Sequence, residues 1–176
     1  MSLARRLTLA AAASLFLAPA IAFAADDHVD ASLHAGSVNA ELSTHADKVD
    51  TDVTPYPGAR RIEKDEDGDG SLMLSLMSGA KGLKLSLAKY TTKDAPEKVI
   101  AFYKTELAKR GAVTVCDAKN AKSEACSGDG VHSSDDDKSV ELRVGTKDNQ
   151  RVVAVTPKDK GTELVLLRLE LPGSTK

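Results

Sequence analysis

The chain has 176 residues, 28% of them charged, and a formal net charge of −2. Its acidic and basic residues are interspersed, so it lacks the clustered basic surface that nucleic-acid binding requires. When the predicted N-terminal export signal is subtracted, the remaining length of about 150 residues suits a single domain.

The N-terminus has the pattern of a secretory signal peptide. Two arginines precede an apolar run over residues 7–17, and a small-residue pattern, AFA, ends at Ala24. The run is broken at Pro19 and is shorter than the ~20 apolar residues of a transmembrane helix. We therefore predict a signal peptide over residues 1–24, cleaved near Ala24, and a periplasmic or secreted mature protein with no transmembrane segment.

The next segment, residues 25–54, differs in composition from the rest of the chain. It is polar and acidic and has no aromatic residue. Val38, Leu42 and Val49 fall at helical spacing, which allows a short amphipathic helix. Because so little of the segment can be buried, we predict an acidic leader that is disordered or partly helical, followed by a single domain over residues 55–172.

The stretch KDEDGDGSL, which begins at Lys64, raises the question of a metal-ion loop. Three aspartates alternate along it: Asp65, Asp67 and Asp69. Followed by Gly70, they match the first half of a calcium loop, in which alternate carboxylates converge on one hard cation. The twelfth loop position, which should be a bidentate Glu, is Leu76 here. A charged hairpin turn is the leading interpretation, and weak Ca²⁺ binding by the three aspartates is the alternative.

A β-hairpin and a helix follow. The runs SLMLSLM and LKLSLAKY alternate and are joined by SGAKG, which predicts two antiparallel strands. One strand face carries the leucines, namely Leu72, Leu74, Leu76, Leu83, Leu85 and Leu87, and the other carries Met73 and Met77. The helix is predicted from Asp94 as N-cap, Pro96 in the first turn and Gly111 as the C-terminal stop. Its apolar face consists of Val99, Ile100, Tyr103 and Leu107.

The only two cysteines, Cys116 and Cys126, are separated by nine residues. In an exported protein such a pair is most simply a disulfide, because the compartment is oxidising. The alternative, a redox-active pair, would favour the closer C-x-x-C spacing.

Alternating strands complete the predicted fold. Val113 and Val115 begin one strand, and the runs SVELRV, RVVAVT and TELVLLRLEL predict three more, joined by short polar turns. Short turns demand antiparallel neighbours, and one helix covers only one face of a sheet. We predict an α+β fold, a single antiparallel sheet with one main helix packed on one face and the other face partly solvated. The expected core comprises the leucines of the hairpin and Val140, Leu142, Val144, Val153, Val155, Val165, Leu167, Leu169 and Leu171.

The order of these motifs resembles a class of small, uncharacterised exported bacterial domains. The resemblance rests on the YPGA turn at residues 56–59, the hairpin, and a helix with an FYK-x-x-L core, and it extends to about Leu171. It implies a location in the cell envelope and an α+β fold. It implies no catalytic residue.

Other chemistry is sparse in the sequence. His28, His34 and His45 lie among aspartates in the leader, where imidazole and carboxylate suit Zn²⁺ or Cu²⁺. Their spacing does not fit a fixed tetrahedral pocket, so a solvated tail is the preferred interpretation, as it is for the isolated His132. Nucleophilic catalysis needs a Ser, Cys or Thr beside an oriented base, and no such motif occurs.

The expected function is therefore a non-catalytic envelope protein without a cofactor. We expect it to bind a protein or a cell-envelope partner through the solvated sheet face or an edge strand, with Met73 and Met77 as candidate contacts, although ordinary packing is the preferred role of both methionines. The alternatives are a weak calcium-binding protein and an unrecognised periplasmic hydrolase.

Overall fold

A computed structural model describes residues 28–65, 68–120, 123, 125–126 and 138–173. In this part of the chain, nine strands form one antiparallel sheet, and a single α-helix packs against it. The predicted α+β class, with one main helix on one face of the sheet, is confirmed. The predicted signal peptide lies outside the described residues.

Eleven strands are present in the described chain, two of which form a separate small hairpin. Their bounds are β1 Asp30–Ala35, β2 Val38–Ser43, β3 Arg60–Arg61, β4 Lys64–Asp65, β5 Gly68–Asp69, β6 Ser71–Ser78, β7 Lys81–Thr92, β8 Thr114–Cys116, β9 Val140–Thr146, β10 Asn149–Lys158 and β11 Gly161–Glu170. The order across the sheet is β1-β2-β6-β7-β11-β10-β9-β8, and β3 pairs with the end of β7. The predicted hairpin is β6–β7, and its turn contains Gly79 at φ 59°, a value that favours glycine.

The α-helix, α1, spans Pro96–Ala108. Val99, Tyr103 and Leu107 repeat every four residues and are fully buried, which confirms the predicted helix face. The predicted N-cap is wrong, because the helix begins after Ala95 and no side chain caps it. Asp94 instead accepts hydrogen bonds from the Tyr56 hydroxyl at 2.7 Å and from Lys98 Nζ at 3.3 Å.

The helix rests on β9, β10 and β11, where it completes the hydrophobic core. Residues directly opposite in an antiparallel pair point to the same face, so the register places Leu142, Val153 and Leu166 side by side beneath it. Val144 and Val155 extend this core as predicted. On β11 the helix side is formed by Leu164 and Leu166. Of the predicted core residues on the other face, Leu167 is buried, whereas Val165 and Leu169 are only half-buried.

The segment predicted as a disordered or partly helical leader is instead part of the sheet. Strands β1 and β2 form a hairpin, and β2 pairs along β6 from Val38 to Ser43. Backbone pairing with β6 needs no large buried side chain, which is why the polar composition was misleading. Only a short 3₁₀ helix, Ala46–Lys48, is helical. The folded unit therefore begins before residue 55.

After β2 the chain crosses the helix side of the sheet. Val49, Thr51 and Val53 are buried there, and Val53 joins the core under α1. Asp52 adopts a left-handed conformation, with φ 53°. Its carboxylate accepts bonds from Arg110 at 3.0 and 3.1 Å and from Arg151 at 2.9 and 3.1 Å. These ion pairs hold the crossing segment against the helix C-terminus and β10.

Candidate binding surface

The face of the sheet opposite α1 carries a contiguous leucine patch. We define it by nine leucines: Leu42, Leu72, Leu74, Leu76, Leu83, Leu85, Leu87, Leu167 and Leu169. The register aligns them in cross-strand rows, such as Leu74 opposite Leu85 and Leu85 opposite Leu169. These rows cross four adjacent strands, β2, β6, β7 and β11. The patch has the opposite parity to the residues of β11 that face α1.

The patch is markedly less buried than the helix side. Leu76 is 41% exposed and most of the other patch leucines are half-buried, although Leu167 is buried at 8%; on the helix side Leu142, Leu164 and Leu166 are 0% exposed. Leucines in neighbouring rows cover one another's flanks, but the tips of the side chains face outward. In the described chain neither α1 nor the 3₁₀ helix lies on this face. A contiguous, partly exposed apolar surface is a candidate interaction surface in a soluble protein.

The borders of the patch differ in chemistry. On the β1–β2 side it continues into Leu33, 61% exposed, and Val38, 43% exposed. On the β9 side it ends at a buried ion pair, in which Arg143 Nη2 donates to Glu141 Oε2 at 2.6 Å. At the β6–β7 turn it ends at the exposed Lys81, which pairs in register with Ser78. The patch itself contains no charge.

Aromatic residues are absent from this surface. The Phe and Tyr residues of the described chain all pack on the helix side, as Tyr56, Tyr90, Phe102 and Tyr103. Phe102 contacts both Tyr56 and Tyr103 edge to face there, with ring centroids 5.2 and 5.0 Å apart. The leucine patch is thus purely aliphatic.

The end of the sheet next to the patch is an exposed edge. Strand β1, which is the terminal strand, has every residue exposed and pairs only with β2 within the described chain. Such an edge presents unpaired backbone groups to a partner strand. Asp30 is fixed at its start, because Ser43 Oγ and Lys48 Nζ both donate to its carboxylate at 2.5 Å. The Lys48 hydrogen bond is the main reason that the pKa of Asp30 lies below its usual value.

Two of the three predicted calcium residues, Asp65 and Asp69, lie on the paired strands β4 and β5 of a small hairpin. Backbone pairing joins Lys64 to Asp69 and Asp65 to Gly68, which confirms that the acidic stretch turns the chain. Asp67 and the side chains of residues 65–69 lie outside the described part. The Ca²⁺ site therefore stays a prediction, and the described residues contain no group of three or more ligands suited to a metal ion.

Two of the histidines, His28 and His45, lie close together, which their spacing in the sequence did not predict. The β1–β2 hairpin places the rings of His28 and His45 4.7 Å apart, and His45 Nε2 lies 3.5 Å from an Asp30 oxygen. His34 lies further along β1. His132 is outside the described residues. The predicted loose Zn²⁺ or Cu²⁺ chelation stays untested.

The cysteines form the predicted disulfide, with Cys116 bonded to Cys126. Cys116 ends β8 and by register shares the face of the leucine patch. Both cysteines are buried, so the bond ties the following loop to the sheet edge.

Met73 and Met77, the predicted candidate contacts, lie on the opposite face from the leucine patch. They pair with Ser86 and Gly82, which have the parity of the helix side. Both are half-buried. The sequence analysis preferred ordinary packing for both methionines, and their position on the face opposite the leucine patch removes them as contacts of that patch. A signal was present in the helix-side parity of β6, which is rich in serine and therefore unlike a core.

Neither a protein-family model, nor a curated protein, nor a solved structure matches this chain. No helix in the described residues is long and apolar enough to span a membrane. The function must therefore be argued from the leucine patch and its borders.

Proposed function

We propose that the protein is a non-catalytic, exported envelope protein that binds an apolar partner through the leucine patch. The observation that carries the proposal is the set of leucine rows on the face opposite α1, where Leu76 is exposed and most of the other leucines are only half-buried. Apolar surface of this extent costs free energy in water, roughly 25 cal/mol for each Å² exposed. A partner that covers it recovers that free energy.

Two further features support an envelope location. The N-terminal sequence has the charge, apolar run and small residues of an export signal. The Cys116–Cys126 disulfide fits an oxidising compartment. The exposed edge of β1 adjoins the patch and offers backbone hydrogen bonds to the same partner.

Site-specific photo-crosslinking tests the proposal. A photoreactive residue replaces Leu76, which is exposed in the patch, and in a matched variant it replaces Glu41, which is exposed on β2 and has the helix-side parity. Both variants are expressed as the full chain in cells, and adducts are identified by mass spectrometry. A partner adduct from position 76 and none from position 41 is expected.

Equal adducts from both positions would contradict a role for the patch, as would no adduct from position 76. An adduct between position 76 and residues 1–27 of the same chain would also contradict it, because the chain would then cover its own patch.

A further inference from the structure

Strand β1 is a sheet edge without the features that usually protect one. Protected edges are short, interrupted by bulges, or carry lysine or proline. The opposite edge, β8, has three residues and is tied to its loop by the disulfide. β1 has six exposed residues, none of them lysine or proline, and its register with β2 contains no bulge. It is therefore open to a further strand.

The backbone groups that β1 leaves free follow from its pairing with β2. Thr44 N donates to Val29 O at 2.9 Å, and the register continues from there without a break. In an antiparallel pair, hydrogen-bonded and non-hydrogen-bonded positions alternate. The odd-numbered residues of β1 therefore bond to β2, whereas the N–H and C=O groups of Asp30, Ser32 and His34 point away from the sheet. An added strand must match this alternation.

A second copy of β1 matches it. In an antiparallel pair with Ser32 opposite Ser32 of the second copy, the three free residues face one another as hydrogen-bonded pairs, with about six backbone bonds. Asp30 of each copy then lies opposite His34 of the other, and unlike side chains at directly opposite positions stabilise a sheet. A shift of two residues loses backbone pairs and separates Asp30 from His34. A shift of four sets two aspartates or two histidines against each other.

The side chains of β1 suit the same register. His34 is exposed, and its imidazole has no hydrogen bond or ion pair in the described chain. Ser43 and Lys48 both donate to Asp30, which keeps 42% of its side chain exposed on the face that His34 shares. Leu33, at 61% the most exposed large apolar residue described, lies diagonally across from Leu33 of the second copy. Pairing therefore covers part of its surface.

The segments outside the described residues are badly placed to cover β1 instead. Cys126 is tied to β8, which lies seven strand spacings, or about 34 Å, from β1. From Cys126 to Val140 on β9 the chain spans at most ~50 Å, whereas a path to β1 and back needs ~60 Å. Cleavage near Ala24 would leave only a few residues before β1. Residues 174–176 reach at most ~11 Å from Gly173, which lies against β7, about 14 Å from β1.

We propose that two copies of the protein pair through their β1 strands in antiparallel orientation, with Ser32 on the two-fold axis and Asp30 of each copy opposite His34 of the other. The two sheets then form one continuous sheet with both leucine patches on the same face. A six-residue edge buries less than the ~800 Å² per partner of a stable interface, so the dimer is weak and reversible. The inference goes beyond the proposed function: in a single copy β1 is open to the partner of the patch, and in the dimer it is taken.

Sedimentation velocity of the full chain, expressed for export, over a concentration series tests the inference. A reversible dimer is expected, and a monomer at every concentration up to about 1 mM would overturn it. Ser32→Pro removes one outward N–H from each copy but no bond to β2, and edge strands tolerate proline. It should weaken the dimer about tenfold or more, because two ladder bonds are lost. The matched control Ser32→Ala keeps the N–H and should leave the dimer unchanged.

Disulfide crosslinking tests the register. Both cysteines of the chain are already bonded to each other, so Ser32→Cys adds a single thiol. Across the two-fold axis the two Cα atoms at position 32 lie about 5.5 Å apart, within the range of a disulfide. Mild oxidation should therefore give a covalent dimer. In the control Glu41→Cys, one strand further in, the two positions lie about 14 Å apart and should give none.

Substitutions at His34 test the side-chain pairing. His34→Asp sets two carboxylates against each other and is expected to weaken the dimer about fivefold, less so at high salt. His34→Lys keeps unlike charges opposite and should form a dimer at least as tight as the unaltered protein. Equal weakening by both substitutions would overturn the proposed register. Circular dichroism and thermal unfolding verify that each variant is folded.

The remaining outcomes separate this dimer from the proposed function. A dimer that is insensitive to Ser32→Pro, or that crosslinks equally from positions 32 and 41, would overturn the inference. A dimer lost in Leu76→Ser but kept in Ser32→Pro would place the contact on the leucine patch and would overturn it as well. A partner adduct from position 76 in a protein that stays monomeric would leave the proposed function standing without the dimer.

Discussion

The two faces of the sheet carry the same types of apolar residue but differ in how deeply these residues are buried. On β11, Leu164 and Leu166 are completely buried, while Leu169 on the other face is only half-buried. The difference arises because α1 lies across β9, β10 and β11 on one side, and the crossing segment after β2 covers more of the same side. Burial is therefore decided by where the connecting segments lie and not by the apolar character of a strand.

The faces also differ in where they hold charge. The helix side contains the cluster of Asp52, Arg110, Arg151, Arg168 and Glu170, which joins the crossing segment to the sheet. The leucine patch contains no charged residue, and the charged residues of this face, Lys81, Lys89 and the Glu141–Arg143 pair, lie beyond its borders. On the helix side the ion pairs thus fix the crossing segment, whereas the leucine patch itself is an uninterrupted aliphatic surface.

The largest expected effect comes from the helix-side core. Replacing Leu166 by alanine leaves a cavity beneath α1, and we expect a loss of about 3–5 kcal/mol in the free energy of unfolding. Leu74→Ala, at the corresponding place on the open face, is expected to cost about 1 kcal/mol or less. Equilibrium urea denaturation of both variants measures the difference. Equal losses would contradict the contrast between the faces.

The next effect concerns the edge of the sheet. Replacing Cys116 and Cys126 together by alanine removes a crosslink between residues ten apart in sequence. On the chain-entropy model, a loop of this size contributes about 3 kcal/mol. The double variant should unfold at lower temperature, and reductant should lower the unfolding temperature of the unaltered protein but not that of the variant. A reductant effect on both proteins would show that the disulfide is not the cause.

The ion pairs of the helix side predict a dependence on pH. Burial raises the pKa of Asp52, but hydrogen bonds from Arg151 and Arg110 outweigh it, so that its pKa lies below the ordinary 3.8. Stability from Asp52 is therefore fully present above pH 3.8 and is lost as the pH falls through the lowered pKa. Asp52→Asn should cost about 1 kcal/mol at neutral pH.

In the Asp52→Asn variant, the free energy of unfolding should also fall less steeply with decreasing pH than in the unaltered protein, because one titrating carboxylate is missing. Asparagine tolerates the left-handed backbone at this position, so the comparison isolates the charge. Chemical denaturation between pH 7 and pH 3 measures both slopes. Parallel slopes would show that Asp52 contributes nothing to the acid response.

The smallest effect is expected at Leu76, the exposed patch leucine near the β6–β7 turn. Leu76→Ser should change the free energy of unfolding by about 0.5 kcal/mol or less, because surface substitutions seldom exceed that value. Thermal unfolding measures it, and Leu142→Ser on the helix side is the destabilising control. A large loss at position 76 would mean that the open face is covered in solution.

The sequence predicts only part of the candidate surface. The alternation of Leu72, Leu74 and Leu76 correctly predicts one strand face, since the side-chain period of a strand is two. It does not identify the face on which the helix lies. On β11 both parities are apolar, so the pattern around Leu166 and Leu167 could not decide between them.

The sequence by itself determined the local elements of this protein. Helical spacing from Val99 to Leu107, the glycine turn between β6 and β7, and the pairing of the two cysteines all follow from interactions among residues close in the chain. Only the tertiary structure decided that polar residues 30–43 extend the sheet, that His28 and His45 meet, and that the leucines remain uncovered. Each of these depends on contacts between distant segments, whose free energy is not encoded in any local pattern.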